Sequence, residues 1–155
     1  LRFTIMRPFN SYGRAFVGNQ HFVVEKAITQ AIKQQHIQLH TSTGMRDFLF
    51  RDDHVSSYLA VLQNRDKVEG ETFNVCTGEA YSIEEMAKTI AEICSKCYGW
   101  KVQIDFSEEP DRPMDISLLQ GSAKKLWLAT GWKPQYNLKN GLFKAIQEWR
   151  KVLRN

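Results

Sequence analysis

Strand-like and helix-like hydrophobic patterns take turns along the whole chain, and this alternation restricts the fold more than any other feature. Arg2 to Phe9 (RFTIMRPF) is apolar and rich in β-formers, and Pro8 with Asn10-Ser11-Tyr12-Gly13 ends it in a turn. That reads as a buried strand and a loop. From Asn19 to Gln34, Val23, Ala27, Ile28, Ala31 and Ile32 return at intervals of three and four, the period of an amphipathic helix. Ile37 to Leu39 is a short strand. Met45 to Phe50 is another, followed by Asp52 and Asp53 as N-cap candidates for a helix bearing Val55, Leu59 and Leu62.

The second half repeats the rhythm. Thr72 to Val75 (TFNV) is a strand closed by Gly78, and Ser82-Ile83-Glu84-Glu85 has the form of a capping box, in which Ser82 and Glu85 satisfy each other's amides. The helix it starts should bury Ile83, Met86, Ala87, Ile90, Ile93 or Cys94, and Cys97. Val102 to Phe106 alternates as a strand. After an acidic, proline-bearing loop, Ser122 is expected to cap a short helix that Gly131 stops, and Leu142, Ile146, Trp149 and Leu153 form the stripe of a final helix. With no internal repeat, alternation of this kind specifies an α/β architecture.

At 155 residues, 43% of them hydrophobic and 25% charged, the chain has the composition of one globular domain. It holds no apolar run long enough for a membrane span, and its first residues lack the pattern of a secretory signal, so no membrane partner is expected. Three cysteines are too few for a zinc ribbon and point to reduced thiols in a cytoplasmic protein. The net charge of +4 favours an anionic partner, but Lys and Arg are scattered among acidic residues rather than drawn into a stripe. A compact anion fits that distribution better than a nucleic acid, and no nucleic-acid partner is expected.

The familiar catalytic and nucleotide-binding strings are missing. The nine glycines lie apart from one another, with no G-x-G-x-x-G and no phosphate loop, and there is no G-x-S-x-G or H-E-x-x-H. His36 and His40 are too far apart along a strand to share a metal, and Asp52, Asp53 and His54 at a helix start do not converge, so no metal site is assigned. What remains is a set of amides and arginines in loops: Asn10, Asn19, Arg46 and Arg112, with Asp115 nearby. Arginine's fork suits a phosphate, Asn donates to phosphate oxygen without adding charge, and a carboxylate suits sugar hydroxyls. On spacing alone, turns and surface ion pairs account for them better, Arg46 with Asp47 or Asp52, and Arg112 with Glu108 or Asp111.

Five strings in order add to this: RPFNSYGR (Arg7 to Arg14), GNQHFVVEKAI (Gly18 to Ile28), GMRDFLFRDDHV (Gly44 to Val55), FNVCTGEAYSIEEMA (Phe73 to Ala87) and RPMDISLLQGSAKKLWLATGWKP (Arg112 to Pro134). Together with the Gly141 to Trp149 helix, they resemble the C-terminal half of the extended short-chain dehydrogenase/reductases, the NAD-dependent sugar-nucleotide epimerases and dehydratases. The resemblance implies the C-terminal portion of an NAD(P)-binding Rossmann-like fold: the small substrate lobe plus the last strands of the parallel sheet. Residues 1–18 and 46–80 would lie on the sheet side, and 19–45 and 81–155 in the substrate lobe.

The resemblance also assigns roles. Phe9 matches a position whose main chain lies against the nicotinamide; Asn10 and Asn19 match residues that hold a substrate diphosphate, as do the arginines Arg46 and Arg112. Asp115 matches the residue that takes the nucleotide ribose, and Leu39, His40 and Thr41 flank the base. No catalytic residue is assigned, because the family's Gly-rich loop and Tyr-x-x-x-Lys pair fall before the RPFN strand and none of the five tyrosines here has a Lys four residues on. The expectation is therefore the nucleotide-sugar-binding half of an epimerase or dehydratase, inactive by itself. NAD or NADP would belong to the parent enzyme, with none bound to these residues alone. The partners would be a nucleoside diphosphate sugar, a missing N-terminal half, and a second copy meeting the first through orphaned strands. The competing expectation is a basic binding module, for nucleic acid or as a protein scaffold, without catalysis.

Overall fold

The computed structural model describes residues 2–13, 22–40, 44–107 and 116–154. In chain order the elements are β1 (Ile5–Pro8), β2 (Ser11–Tyr12), α1 (Val23–Gln34), β3 (His36–Leu39), β4 (Met45–Arg46), β5 (Leu49–Phe50), α2 (Arg51–Gln63), α3 (Arg65–Val68), β6 (Thr72–Val75), β7 (Tyr81–Ser82), α4 (Ile83–Tyr98), β8 (Gln103–Phe106), β9 (Leu118–Leu119), α5 (Lys124–Thr130) and α6 (Leu138–Arg154). The expected alternation is present. β1 pairs in parallel with β6, β2 with β5 and β3 with β8, while β4 lies between antiparallel β7 and parallel β9. The parallel neighbours β1 and β6 are joined by a long crossover, of which α2 and α3 are the last part before β6.

Two hydrophobic cores organise these pieces. The larger joins α1, α4 and α6 to β3, with Ile28, Ile37, Met86, Ile90, Leu142, Ile146 and Trp149 fully buried, and it takes in Tyr12, Phe48 and Phe50. The smaller gathers Leu49, Val61, Val68, Phe73 and Val75 with Leu126 and Trp132, so that α5 packs beside β6. The helix ends follow local chemistry. Ser82 accepts the Glu85 amide at 3.0 Å while Glu85 accepts the Ser82 amide at 2.7 Å, the full capping box, and Gly99 and Gly131 close α4 and α5 in the left-handed conformation.

Several expectations from the sequence are corrected. The RFTIMRPF strand is half uncovered rather than buried, with Phe3 52% and Ile5 44% exposed. Helix α2 turns its apolar stripe outward: Val55, Leu59 and Leu62 are 53%, 54% and 66% exposed, and Asp53, Ser57 and Val61 face inward. The reason lies in Asp53, whose two carboxylate oxygens accept the amides of Gln135 and Tyr136 at 2.8 and 3.0 Å, and in Ser56, which accepts the Trp132 indole N–H at 2.9 Å. These bonds fix the rotation of the helix. Asp52 and Asp53 therefore sit in its first turn beyond the N-cap residue, Phe50. Ala123, not Ser122, is the N-cap of α5. Cys97 lies on the exposed side of α4, whereas Cys94 is buried.

Candidate ligand-binding site

The carboxyl ends of β1 and β6 meet the β4–β5 segment around one buried carboxylate. Asp47 is fully buried, and its Oδ1 accepts the Thr77 amide at 2.8 Å and the Thr77 hydroxyl at 2.7 Å. Its Oδ2 accepts the amides of Gly78 at 2.9 Å and Gly121 at 3.3 Å. An ionised group out of water needs this many donors, and here they come from two loops distant in sequence. The carboxyl ends of parallel strands are where open α/β sheets bind ligands.

Phe9 follows β1 directly and donates its amide to the Val75 carbonyl at 2.9 Å. Its ring lies against Gly121 so closely that a Cβ there would come within 2.8 Å of Phe9 Cζ and 2.6 Å of Cys76 Sγ. Burial, helped by the negative charge of Asp47, pushes the Cys76 thiol up to about 12. That sulfur is packing, not a nucleophile. Asn10 donates its side-chain amide to the Asp47 carbonyl at 3.2 Å, and its own carbonyl accepts the Leu49 amide at 3.3 Å.

Arg46, on β4, donates through Nη1 to the carbonyls of Met45 at 2.9 Å and Ile116 at 2.6 Å, which fixes the plane of its guanidinium. Gly44 leaves room for it, since a Cβ there would lie 3.3 Å from Nη1. Phe9 and Asn10 thus meet around Asp47 and its neighbours, whereas Arg46 is next to Asp47 in the chain and its guanidinium is held on the Met45 and Ile116 carbonyls. Leu39 and His40 belong to another place, the end of the β3–β8 pair, where Leu39 is buried and His40 meets the Ser107 hydroxyl at 3.3 Å. Asn19, Thr41, Arg112 and Asp115 lie outside the described residues. Asp47 was considered in the sequence only as an ion partner of Arg46; an acid followed directly by Phe48-Leu49-Phe50 was the available sign of a buried carboxylate.

Residues 1–145 match the protein family described as GDP-mannose 4,6 dehydratase. The chain belongs to this family. It is an extended short-chain dehydrogenase/reductase of the sugar-nucleotide epimerase and dehydratase group, with the Rossmann-like α/β fold of that group. The GDP-mannose 4,6 dehydratase relationship extends to curated proteins of differing activity. A GDP-6-deoxy-D-mannose reductase of Pseudomonas aeruginosa is 27% identical across 99% of this chain and 50% of its own length. A CDP-abequose synthase of Salmonella typhimurium is 31% identical across 74% of this chain and 38% of its own. Among solved structures, UDP-glucose 4-epimerase from Thermotoga maritima with UDP-glucose superposes with a TM-score of 0.85 at 24% identity, covering 99% of this chain and 47% of that one. RMD from Pseudomonas aeruginosa complexed with NADPH gives 0.77 at 27% identity, over 94% and 48%. The chain spans about half the length of these relatives.

Proposed function

We propose that this chain supplies the nucleotide-sugar-binding half of an NAD(P)-dependent sugar-nucleotide epimerase, dehydratase or reductase. The observation that carries the reading is the Arg46 guanidinium fixed on the Met45 and Ile116 carbonyls, one residue before the Asp47 knot that also holds Asn10, in a chain of this family. Phosphate oxygens bind best to donors that are already oriented, because no side-chain entropy is then lost on contact. Arg46 takes the diphosphate, and Asn10 adds an uncharged donor. Asn19, Arg112 and Asp115 complete the set, the last at the ribose, while Leu39, His40 and Thr41 border the base.

A nicotinamide cofactor, when bound, accepts or returns hydride at the sugar. The described residues fit one edge of it only: Phe9, backed by Gly121 and Cys76, offers main chain at the end of β1. These 155 residues contain no Gly-rich turn for its diphosphate and no Tyr-x-x-x-Lys pair to move a proton. The chain alone therefore binds and positions, and is inactive.

Calorimetric titration with GDP-mannose and UDP-glucose is expected to show saturable binding that weakens in Arg46→Ala by about 1.5–3 kcal/mol, the worth of a charge-assisted contact. Binding unchanged by that substitution overturns the assignment of Arg46. Turnover of either sugar by the chain with added NAD or NADP overturns the claim that it only binds.

A further inference from the structure

Arg51, the first residue of α2, has all five of its guanidinium hydrogens committed within the molecule. Nη1 donates to the Gly13 carbonyl at 2.8 Å and to Glu148 Oε2 at 2.7 Å. Nη2 donates to Glu148 Oε1 at 2.8 Å and Asp52 Oδ1 at 3.0 Å, and Nε to the same Asp52 oxygen at 3.2 Å. A side chain engaged in this way has no donor left for a ligand, so its role lies in what it holds. Gly13 is also gripped from its other side, because its amide donates at 3.0 Å to Oε1 of Glu25, a carboxylate only 2% exposed. A base on α2 thus takes the carbonyl, and an acid on α1 the amide, of one residue whose φ of +104° and closeness to the Phe50 ring leave no room for a side chain.

We propose that Arg51 is a positioning residue for Asn10, acting through Gly13 and β2. The proposal rests on the reading above that Asn10 donates to a substrate phosphate. Strands β2 and β5 are two residues long, and Ser11 beside Leu49 and Tyr12 beside Phe50 are all the ladder they share. So short a pair is not stable by itself. At its start the Asn10 carbonyl accepts the Leu49 amide at 3.3 Å, and the Asn10 side chain donates to the Asp47 carbonyl at 3.2 Å, both at the long end of the range for such bonds. At its end stands Gly13. Because Arg51 follows β5 directly, its bond to the Gly13 carbonyl closes that end of the pair, and its two-point bond to Glu148 ties the pair to α6 in the larger core. One hydrogen of the Asn10 amide is thereby kept on the Asp47 carbonyl, which leaves the other for a phosphate oxygen.

The task needs arginine rather than any cation. A guanidinium offers two parallel donors to a carboxylate and still turns a further hydrogen to a carbonyl, whereas the ammonium of lysine carries all its donors on one atom. Arg51 and Glu148 are also 32% and 33% exposed, so water and salt weaken their bond less than that of a pair on the open surface. Lysine at position 51 would keep the charge and lose the simultaneous hold on Glu148 and Gly13.

Two measurements on the 155-residue chain test this. In nitrogen–proton NMR spectra, the side-chain amide signals of Asn10, identified by their loss in Asn10→Ala, are expected to shift and to exchange faster in Arg51→Gln. Arg51→Lys and the shape-keeping Glu148→Gln move them the same way by less, and Ile90→Val, a change in the larger core that lowers stability, leaves them in place. In calorimetric titration with GDP-mannose, Arg51→Gln and Asn10→Ala each weaken binding by about tenfold or more, and the double variant binds no worse than Asn10→Ala alone. The losses of Arg51→Gln and Arg46→Ala multiply instead. Asn10 signals unmoved in all three variants of the tie overturn the proposal, as does a double variant in which the losses of Arg51→Gln and Asn10→Ala multiply. Absence of binding by the unaltered chain overturns the reading of the site and not the coupling of Arg51 to Asn10, which the NMR signals then decide alone.

Discussion

Gly141 in α6 lies so near Tyr12 that a Cβ on the glycine would stand 2.1 Å from the tyrosine hydroxyl oxygen and 3.1 Å from Phe50 Cβ. A glycine inside a helix ordinarily costs about 1 kcal/mol relative to alanine. Here it is required, because the last helix closes over a ring from β2. Gly141→Ala is expected to destabilise the chain by about 1–3 kcal/mol in spite of its better helix propensity. In a Tyr12→Phe background, with the oxygen gone, the same change should cost less. Urea denaturation of the two singles and the double measures the coupling, and additive costs would remove the contact as the cause.

Asp47→Ala takes the acceptor from the Thr77 amide and hydroxyl and from the amides of Gly78 and Gly121 at once. The expected loss is about 3 kcal/mol or more, since buried donors are left unpaired. Amide hydrogen exchange should quicken first at Gly78 and Gly121, while the α1–α4–α6 core keeps its protection. Uniform acceleration everywhere would deny Asp47 its local role.

The three thiols should separate by reactivity. Cys97 is exposed, whereas burial pushes Cys94 up to about 11 and Cys76 up to about 12. Iodoacetamide near pH 8 is expected to modify Cys97 alone in the native chain and all three in denaturant. Mass spectrometry of the alkylated peptides counts them.

Stability should fall in alkali. Besides the two buried thiols, a hydrogen bond to Glu79, with burial second, raises Tyr81 to about 12, and burial above all raises Tyr12. The folded chain holds these protons to higher pH than the unfolded chain does. The stability they contribute is whole below the ordinary thiol value of 9.0 and is lost as pH climbs from there toward about 12. Denaturant midpoints across that range should decline, and the decline should shrink in Cys76→Ser, where the first of these protons is missing.

The legible part of this molecule was its periodicity. The capping box at Ser82 and Glu85, the stripe from Ile83 to Cys94, the stop at Gly131 and the TFNV strand could be read because each depends on neighbours within a few residues. The facing of α2 could not. Its apolar stripe is real, but Asp53 and Ser56 are held by Gln135, Tyr136 and Trp132, some eighty residues away, and those bonds outweigh the local pattern. Cys97 has the spacing of a core residue and lies one turn beyond where the core ends. At the candidate site, Arg46 and Asn10 were visible by type, whereas the partners of Asp47, namely Asn10, Thr77, Gly78 and Gly121, come to it only in three dimensions.

Strand β5 is two residues long, and its side chains divide the molecule. Leu49 enters the smaller core and Phe50 the larger, because successive residues of a strand point to opposite faces. The two cores therefore share a wall one backbone thick, and a slip of one residue would send leucine and phenylalanine each into the space shaped for the other. Neither core can loosen without moving the floor of the other. A chain with two separate hydrophobic centres is thereby made to melt in one step, and substitutions made in either centre should shift a single shared transition.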